Sequence, residues 1–439
     1  MKKKIILYHP STKHEKFYSF YWIPYSVLTI ASMIYKNYDV IILDDNLPNN
    51  NIKINKELLN NCLCIGISMM TGHQISGGIE FAKRIKKYNK NIPIIAGGTH
   101  PTLFPELTIS NRNFDFIIQG QGEIPFLRLI NYLDFNNEIL NEINGLVFIK
   151  NKKIVINKNN ILMSKEEFPN YPWELIDLNN YINNDPKVGT RTINYVSSQG
   201  CPFKCTFCSE TSLYKNKWKT YGKNRIIKDI SYLMKMTNIN AIKFYDANFF
   251  VNLKTVDEFI IFMINNKRNI KWAASGHPKT LSNLDDDFWN KLEKSNCKRL
   301  LIGAESGSQE VLDSIKKDIN VDLILSLANK LKKYNIIGSF TFIVGFPGVD
   351  TKDEIFKTLN IAKKIKSINI INDVKIHFFS PYPGTELFDK AIKYGFKSPK
   401  TLIDWANYDY YNIETPWIDK KYEQIIHNFN KDNCEYVHL

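Results

Sequence analysis

Three cysteines lie within eight positions of one another in Gln199-Gly200-Cys201-Pro202-Phe203-Lys204-Cys205-Thr206-Phe207-Cys208, spaced Cys-x3-Cys-x2-Cys. Thiolates gathered this tightly on one loop can wrap an iron–sulfur cluster. A structural zinc ion asks for four ligands, commonly as two separated pairs. No second pair stands nearby, because Cys297 and Cys434 are isolated. Three thiolates on a four-iron cluster leave one iron without a protein ligand. The loop therefore predicts Cys201, Cys205 and Cys208 as metal ligands and as the catalytic centre of a [4Fe–4S] site with an open position.

Other residues able to bind or catalyse stand at the ends of apolar runs. Tyr245-Asp246-Ala247-Asn248-Phe249-Phe250 closes one run, and Gly303-Ala304-Glu305-Ser306-Gly307-Ser308 another. Alone, the first reads as an Asx turn and the second as a helix start capped by Ser308. Gly345-Phe346-Pro347-Gly348 and Pro381-Tyr382-Pro383-Gly384-Thr385 read as rigid turns after two later runs. In the N-terminal third, Gly66-Ile67-Ser68-Met69-Met70-Thr71-Gly72, Gly97-Gly98-Thr99-His100-Pro101-Thr102 and Gly120-Gln121-Gly122-Glu123 each follow or close a strand-like run. Small and hydroxyl residues on one sheet edge leave room for a long nucleotide-like ligand against backbone N–H groups.

The cysteine loop resembles the signature of the radical S-adenosylmethionine (SAM) enzymes. The resemblance implies that the open iron chelates the amino and carboxylate groups of SAM and that an electron passed to the sulfonium releases a 5′-deoxyadenosyl radical. It also implies that Phe207 sits near the adenine, that Asp246 meets the SAM amino group, and that Glu305 and Ser306 contact SAM. His277 lies where many relatives carry Arg and receives no role. The order of the three glycine turns resembles the cobalamin-binding domain of B12-dependent radical enzymes. There Ser68 and Thr71 would line the slot for the corrin's nucleotide tail, Gly97 and Gly98 would let it pass, and Gly120 and Gly122 would also belong to the cofactor-binding set. The Asp-x-His-x-x-Gly motif of classical B12 domains is absent, and His73 is a poor match for its histidine. The branch resembled contains the oxygen-independent magnesium-protoporphyrin cyclase and B12-dependent radical SAM methyltransferases. The implied reaction is methylation, or oxidative cyclisation, of an unactivated carbon on a small molecule. An electron donor such as flavodoxin or ferredoxin would be the partner.

Positioning such residues requires a parallel α/β framework, and the apolar periodicity predicts one. Strands are expected at Ile5–Tyr8, Val40–Leu43, Leu63–Ser68, Pro93–Ala96 and Phe114–Gln119, with helices at Tyr25–Tyr35, about Ile75–Tyr88, and from Glu123. A hairpin, Leu146–Ile149 and Ile154–Ile156, opens a polar stretch with Pro169, Pro172 and Pro186. Six further strands follow: Thr192–Ser198, Ala241–Tyr245, Lys271–Ser275, Arg299–Gly303, Ile336–Val344 and Val374–Phe379. Between them lie helices Val256–Ile264, Asp286–Lys294, Gln309–Ile315 and Lys352–Lys364. The expected fold is α/β: a Rossmann-like cobalamin-binding domain (1–140), a linker with a hairpin (141–190), a partial (β/α)6 radical SAM barrel (191–395) and a small C-terminal cap (396–439). The cap holds Trp405, Tyr408, Tyr410, Tyr411 and Trp417 and is expected to pack beside the barrel.

The chain has 439 residues and a formal charge of +14, with 44% hydrophobic and 23% charged residues. That composition excludes disordered, collagen-like and coiled-coil proteins. Only seven of the 58 basic residues are Arg, and the Lys is spread along the chain. Nucleic-acid readout leans on the Arg fork, so the charge reads as a solvated surface. No apolar run reaches the length of a membrane span. Met1-Lys2-Lys3-Lys4 is not followed by an apolar core long enough for a signal peptide, so a cytoplasmic location is expected. Cys62 and Cys64 read as small buried hydrophobes. Two competing readings remain: a radical SAM enzyme that has lost cobalamin, and a radical SAM tRNA-modifying enzyme. Of the latter, methylthiolation would require a second three-cysteine cluster upstream, where only Cys62 and Cys64 stand.

Overall fold

The computed structural model describes residues 2–13, 20–48, 53–158, 162–266, 268–408 and 415–433. The chain forms two compact units, one of residues 1–182 with 399–409 and one of residues 183–398 with 410–439.

The first unit is built on a seven-stranded sheet ordered β2-β1-β3-β4-β5-β6-β7. β1 (Lys4–His9), β2 (Asp39–Asp44), β3 (Cys62–Ser68), β4 (Ile94–Gly97) and β5 (Phe116–Ile118) are parallel. Their near-continuous apolar runs, such as Cys-Leu-Cys-Ile-Gly-Ile-Ser in β3, suit strands covered on both faces. The helices α1 (Tyr25–Ile34), α2 (His73–Tyr88) and α3 (Glu123–Phe135) supply the cover. α2 buries Ile75, Ile79, Ala82 and Ile85, spaced at the helical period, and leaves Lys83 and Lys87 exposed. The hairpin of β6 (Leu146–Lys150) and β7 (Lys153–Ile156) continues this sheet, because β6 pairs antiparallel with β5. Cys64 is fully buried and Cys62 half-buried. Burial raises both thiols, Cys62 to about 11, so they act as packing groups.

A buried ion pair ties the segment after the hairpin to this sheet. The Lys165 ammonium lies 2.8 Å from the Glu123 carboxylate at the start of α3, and Thr29 Oγ1 on α1 donates to the same oxygen at 2.8 Å. Gln121 adds a two-way clamp: its Nε2 donates to the Met163 carbonyl and its Oε1 accepts from Met163 N. Burial pushes Glu123 up, but the Lys165 ammonium and the bonds from Lys165 and Thr29 override it and hold the carboxyl below its ordinary value. A depressed acid stabilises the fold above the unfolded pKa, and that stability is lost as pH falls through the folded value. Glu123→Ala strands a buried cation and is expected to destabilise this unit by about 3–5 kcal/mol at pH 7. The cost should shrink below about pH 4, which urea melts between pH 3 and 7 would read.

The second unit has a seven-stranded sheet ordered β16-β15-β14-β13-β12-β9-β8. Six strands are parallel: β9 (Gly189–Tyr195), β12 (Ala241–Phe244), β13 (Lys271–Ser275), β14 (Cys297–Glu305), β15 (Ile337–Val344) and β16 (Asp373–Phe378). The short β8 (Asn183–Asp185) adds an antiparallel edge. The run expected as one strand, Thr192–Ser198, divides: β9 stops at Tyr195, and β10 (Ser198–Gly200) forms a separate ribbon with β11 (Trp218–Thr220). Asp246 is the cause, since its carboxylate accepts from Ser197 N, Ser197 Oγ (2.7 Å) and Ser198 Oγ (2.5 Å) and turns the chain out of the sheet. Helices Lys223–Met236 and Val321–Lys333 complete the strand–helix alternation at places where the periodicity had suggested none. Arg299 and Lys243, on β14 and β12, meet Asp373 on β16 and Asp185 on β8 at 2.9 and 3.2 Å. This polar network fastens four strands together.

The C-terminal segment divides between the units. Residues 399–408 belong with the first, where helix Leu402–Ala406 packs on α2. Residues 415–433 belong with the second, where helix Lys420–Asn433 packs on β16. Tyr410, Tyr411 and Cys434 lie outside the described residues.

Candidate functional site

The cysteine loop is held from several elements of the second unit. Thr206 N donates to the Ile315 carbonyl at 3.0 Å, and Leu387 N donates to the Thr206 carbonyl at 3.2 Å. Ser212 Oγ donates to Gly384 O at 2.6 Å. The Pro381–Thr385 turn and the helix after it thus brace the loop. Phe203 stacks flat on the His277 ring, 3.5 Å between centroids and 8° between planes. Phe207 meets Phe346 at 5.9 Å, which joins the loop to Gly345-Phe346-Pro347-Gly348.

Cys205 is buried, and Cys201 and Cys208 are half-buried. Burial raises all three thiols, Cys205 to about 11 and Cys208 to about 12, and their mutual electrostatic influence adds to it in Cys205 and Cys208. No group of three or more His, Cys, Asp or Glu among the described residues closes into a metal cage. A cubane cluster needs three sulfurs on three separate irons, so convergence on one point is not what it requires. The donor set of three neighbouring soft thiols with no fourth fits a [4Fe–4S] cluster with an open iron.

Beside the thiols lies a cation that sequence reading missed. The Lys317 ammonium, 7% exposed, sits 2.7 Å from Glu305 Oε1. Burial alone would lower its pKa, but Glu305 and the sulfurs of Cys205 and Cys208 override this and raise it. Glu305 has φ +61°, an uncommon backbone conformation for a residue with a side chain. The kink turns its carboxylate toward Lys317. A Cβ on Gly303 would stand 2.2 Å from Glu305 Oε1, so a side chain there would displace the Glu305 carboxylate. Ser306 is fully buried, with Oγ accepting from Ser308 N. Asp246, also buried, directs its carboxylate to Ser197 and Ser198, as described above. Burial raises it to about 6 against those bonds. His277, given no role from sequence, is kept neutral by burial and by Lys317 and Lys279. Its stack on Phe203 makes it a support of the cysteine loop.

Glu354, at the start of helix Thr351–Ile368, holds the loop after β15. Its Oε2 accepts from Gly345 N at 2.8 Å, while Oε1 is buried without a partner. Trp417 Nε1 donates to the Gly345 carbonyl at 2.9 Å. Burial raises Glu354 to about 8, against the lowering influence of the Gly345 and Phe346 backbone. A raised acid contributes stability that is full below its unfolded pKa near 4.5 and is lost as pH rises through 8. Glu354→Gln, permanently neutral, should therefore lose less stability than wild type between pH 5 and 8. The gap would be on the order of several kcal/mol at most, read from denaturant midpoints across that range.

In the first unit the loops after β3, β4 and β5 interlock. Met69 N donates to Gly97 O at 2.8 Å, His100 N to Met69 O at 3.2 Å, and Gly120 N to Thr102 Oγ1 at 2.9 Å. Gly98, at φ +100°, would drive a Cβ to 2.6 Å from Met69 O. A Cβ on Gly97 would come no closer than 3.7 Å, to the Ile118 carbonyl, an ordinary van der Waals contact. Ser68 ends β3 half-buried. Thr71 Oγ1 lies 3.1 Å from His100 Nδ1. Gly122 packs against Ile30 and Ile118 at the start of α3. Thr99 Oγ1, His100 Nε2 and Gln119 Oε1 are buried without partners. His100 is held neutral by burial, at about 4. Trp405 closes this edge, with its ring 5.9 Å from His100 and its carbonyl accepting from Gly72 N at 3.2 Å. A glycine cradle with unspent polar atoms fits a large ligand with polar flanks, as cobalamin is. His100 and Trp405 escaped the sequence reading, one as part of a turn and the other by its distance along the chain.

Comparison with known proteins agrees with this geometry. A radical SAM superfamily model matches residues 195–362, and a B12-binding-domain model matches residues 18–130. The chain thus carries a radical SAM domain preceded by a B12-binding domain. Those domains define an enzyme that uses a [4Fe–4S] cluster, SAM and cobalamin, acts on a small molecule and needs a reductant. An uncharacterised methyltransferase of Pyrococcus horikoshii is 28% identical over 84% of this chain and 78% of that protein. The anaerobic magnesium-protoporphyrin IX monomethyl ester cyclase of Synechocystis is 24% identical over 60% of this chain, and about half of its own length, 52%, is spanned. Among solved structures, the radical SAM methyltransferase TsrM of Kitasatospora setae, with cobalamin and a [4Fe–4S] cluster bound, superposes with a TM-score of 0.71. It is 13% identical and covers 91% of this chain and 76% of its own. The cobalamin-dependent enzyme OxsB also reaches 0.71, at 18% identity, covering 89% of this chain and 55% of its own. At these identities the likeness is one of fold. No helix among the described residues is long and apolar enough to cross a membrane.

Proposed function

We propose that this enzyme methylates an unactivated carbon of a small molecule. The observation that carries the reading is the presence in one chain of a three-thiol loop with no fourth ligand and a glycine cradle with unspent polar atoms. Similarity to a methyltransferase through both units supports it. Cys201, Cys205 and Cys208 would hold the cluster. Phe207, Glu305 and Ser306 would line the SAM site, and Asp246 would shape it by fixing the exit of β9. Ser68, Thr71, Gly97, Gly98, Gly120 and Gly122 would border the cobalamin, with His100 and Trp405 behind them. When bound, the cluster with SAM supplies a carbon-centred radical and cobalamin a transferable methyl group. The chain's own work is to hold these parts in register and keep out water, by the packed aromatic braces of the loop and the buried Glu305–Lys317 pair. Methylthiolation is disfavoured, because Cys62 and Cys64 are packing thiols.

The test is anaerobic reconstitution with iron, sulfide and hydroxocobalamin, followed by SAM with a deuterated methyl group and dithionite. Expected are 5′-deoxyadenosine and a corrin carrying the labelled methyl. Release of 5′-deoxyadenosine from a protein that retains no corrin would overturn methyl transfer and leave the cobalamin-free reading. A bound corrin that never acquires the label would favour oxidative cyclisation.

A further inference from the structure

We propose that the face of the second unit's sheet turned away from its helices binds an anionic group of the substrate, a carboxylate or a phosphate ester, with Lys375 as its cation. This names a substrate class for the enzyme proposed above and rests on that reading. Side chains alternate across a strand, and residues in register on parallel neighbours share a face. One face is apolar and covered by helices. Phe244 and Trp272 pack on Phe259 of helix Leu253–Asn265, with ring centroids 5.0 and 5.4 Å away. Tyr195 Oη donates to Asp229 of helix Lys223–Met236 at 2.9 Å.

The alternate residues take the other face. Asn194, Lys243, Ala273 and Arg299 stand in register across β9, β12, β13 and β14. Ser339 pairs with Asp373, Thr341 with Lys375 and Ile343 with His377 across β15 and β16. This polar face opens in one direction. Lys243, Ala273, Ser339 and Lys375 are buried, whereas the next residues on the same face, Tyr245, Ser275, Thr341 and His377, are half-buried. The open end is therefore the carboxyl end of the strands, where Asp246 and Glu305 also stand. Lys375 lies one layer below it. Gly303 is in register with Thr341, and a Cβ there would stand 3.0 Å from Lys317 Nζ. The layer of Thr341 and Lys375 thus adjoins the Glu305–Lys317 pair.

The strands give this face more positive than negative charge. They carry Lys243, Arg299 and Lys375 against Asp373 and, from the edge strand β8, Asp185. Both carboxylates are shared. Asp185 lies 3.2 Å from Lys243 and 3.8 Å from Arg299, and Asp373 lies 2.9 Å from Arg299 and 2.5 Å from a further cation, Lys187. Buried charge is unfavourable unless opposite charge meets it, so a face with this surplus favours an anion brought by the ligand. Arg299 spends its fork on Asp373 and Ser339, deep in the sheet. Lys375 is a compact point charge near the opening, which suits an anion that enters and leaves. Beside it, burial and the Lys375 ammonium hold the His377 imidazole neutral, at about 4. His377 can therefore donate a ring N–H to the anion while Lys375 supplies the charge.

The experiment compares wild type, Lys375→Gln and His377→Asp, each reconstituted with cluster and cobalamin. Equilibrium dialysis reads binding of radiolabelled succinate and of radiolabelled inorganic phosphate, with sodium chloride holding the ionic strength constant. Wild type is expected to bind at least one of the two about 10-fold or more tightly than Lys375→Gln, the worth of one charge-assisted contact. Tighter succinate points to a carboxylate substrate, and tighter phosphate to a phosphate ester. His377→Asp keeps Lys375 but sets a carboxylate of the chain beside it, so it should lose the anion as well. It decides the matter where circular dichroism shows that Lys375→Gln does not fold. Equal binding by wild type and the folded variants, or no binding of either probe to wild type, would overturn the anion site. Binding is read without turnover, so the two readings fail separately. A wild type that binds the anion but moves no labelled methyl to the corrin overturns methyl transfer alone. One that moves the methyl but binds neither probe overturns the anion site alone.

Discussion

Cys205→Ala is expected to yield a folded protein that assembles no stable cluster and forms no 5′-deoxyadenosine above the enzyme-free background. Cys205 is the most enclosed of the three thiols, at 6% exposed, and stands at the centre of the loop's bracing. The backbone of its neighbour Thr206 is bonded on both sides, to Ile315 and Leu387. The loop backbone should therefore persist without the thiol. Two thiolates cannot hold a cubane that already has one open iron. The measurements are iron and sulfide content, the visible absorbance of the reconstituted protein, and product analysis after SAM and dithionite. Cys297→Ala is the matched control. Cys297 is equally enclosed, at 1% exposed, but begins β14, and burial raises its thiol far above the usual range. It should keep cluster and activity, at a packing cost of about 1 kcal/mol. Full cluster assembly in Cys205→Ala would refute the assignment of the loop.

Lys317→Met is expected to produce the second large effect. The substitution keeps length and apolar bulk but leaves the Glu305 carboxylate buried with no cation beside it and within electrostatic reach of Cys205. Breaking a buried pair from one side costs about 3–5 kcal/mol. Two signatures separate its electrostatic role from simple packing. First, the cluster's midpoint potential should fall, because a nearby positive charge favours the more negative reduced state. Second, Lys317→Met/Glu305→Gln should regain part of the stability, since both partners are then neutral. A single substitution with wild-type stability and unchanged potential would show that the pair is not coupled to the cluster. Loss of SAM affinity in the double variant with stability largely regained would show that Glu305 also contacts SAM.

Much of the fold was legible because parallel strands covered on both faces are written as short apolar runs between turns. β3 and β14 are such runs, and both appeared within a few residues of their positions. Where the reading differed, a long-range side chain decided the outcome. Nothing in Thr192–Ser198 shows that the strand ends at Tyr195, because the group that ends it is Asp246, 49 positions from Ser197. The hairpin after residue 145 carries no mark of the sheet it joins, since pairing with β5 is a backbone contact. Trp405 reads as a cap aromatic and lies against His100.

What the sequence determined by itself is the candidate chemistry: three soft ligands within eight positions of one another, and glycines at the ends of strand-like runs. Ligand type and local spacing are properties of adjacent residues, so they survive without coordinates. The tertiary structure decided which charges surround that chemistry. It placed Lys317 against Glu305 and the thiols, neutral His277 under the loop, and Glu354 behind Gly345. The reason is physical. Charge matters at these positions because burial removes the water that would screen it, and burial is set by contacts between residues far apart in the chain.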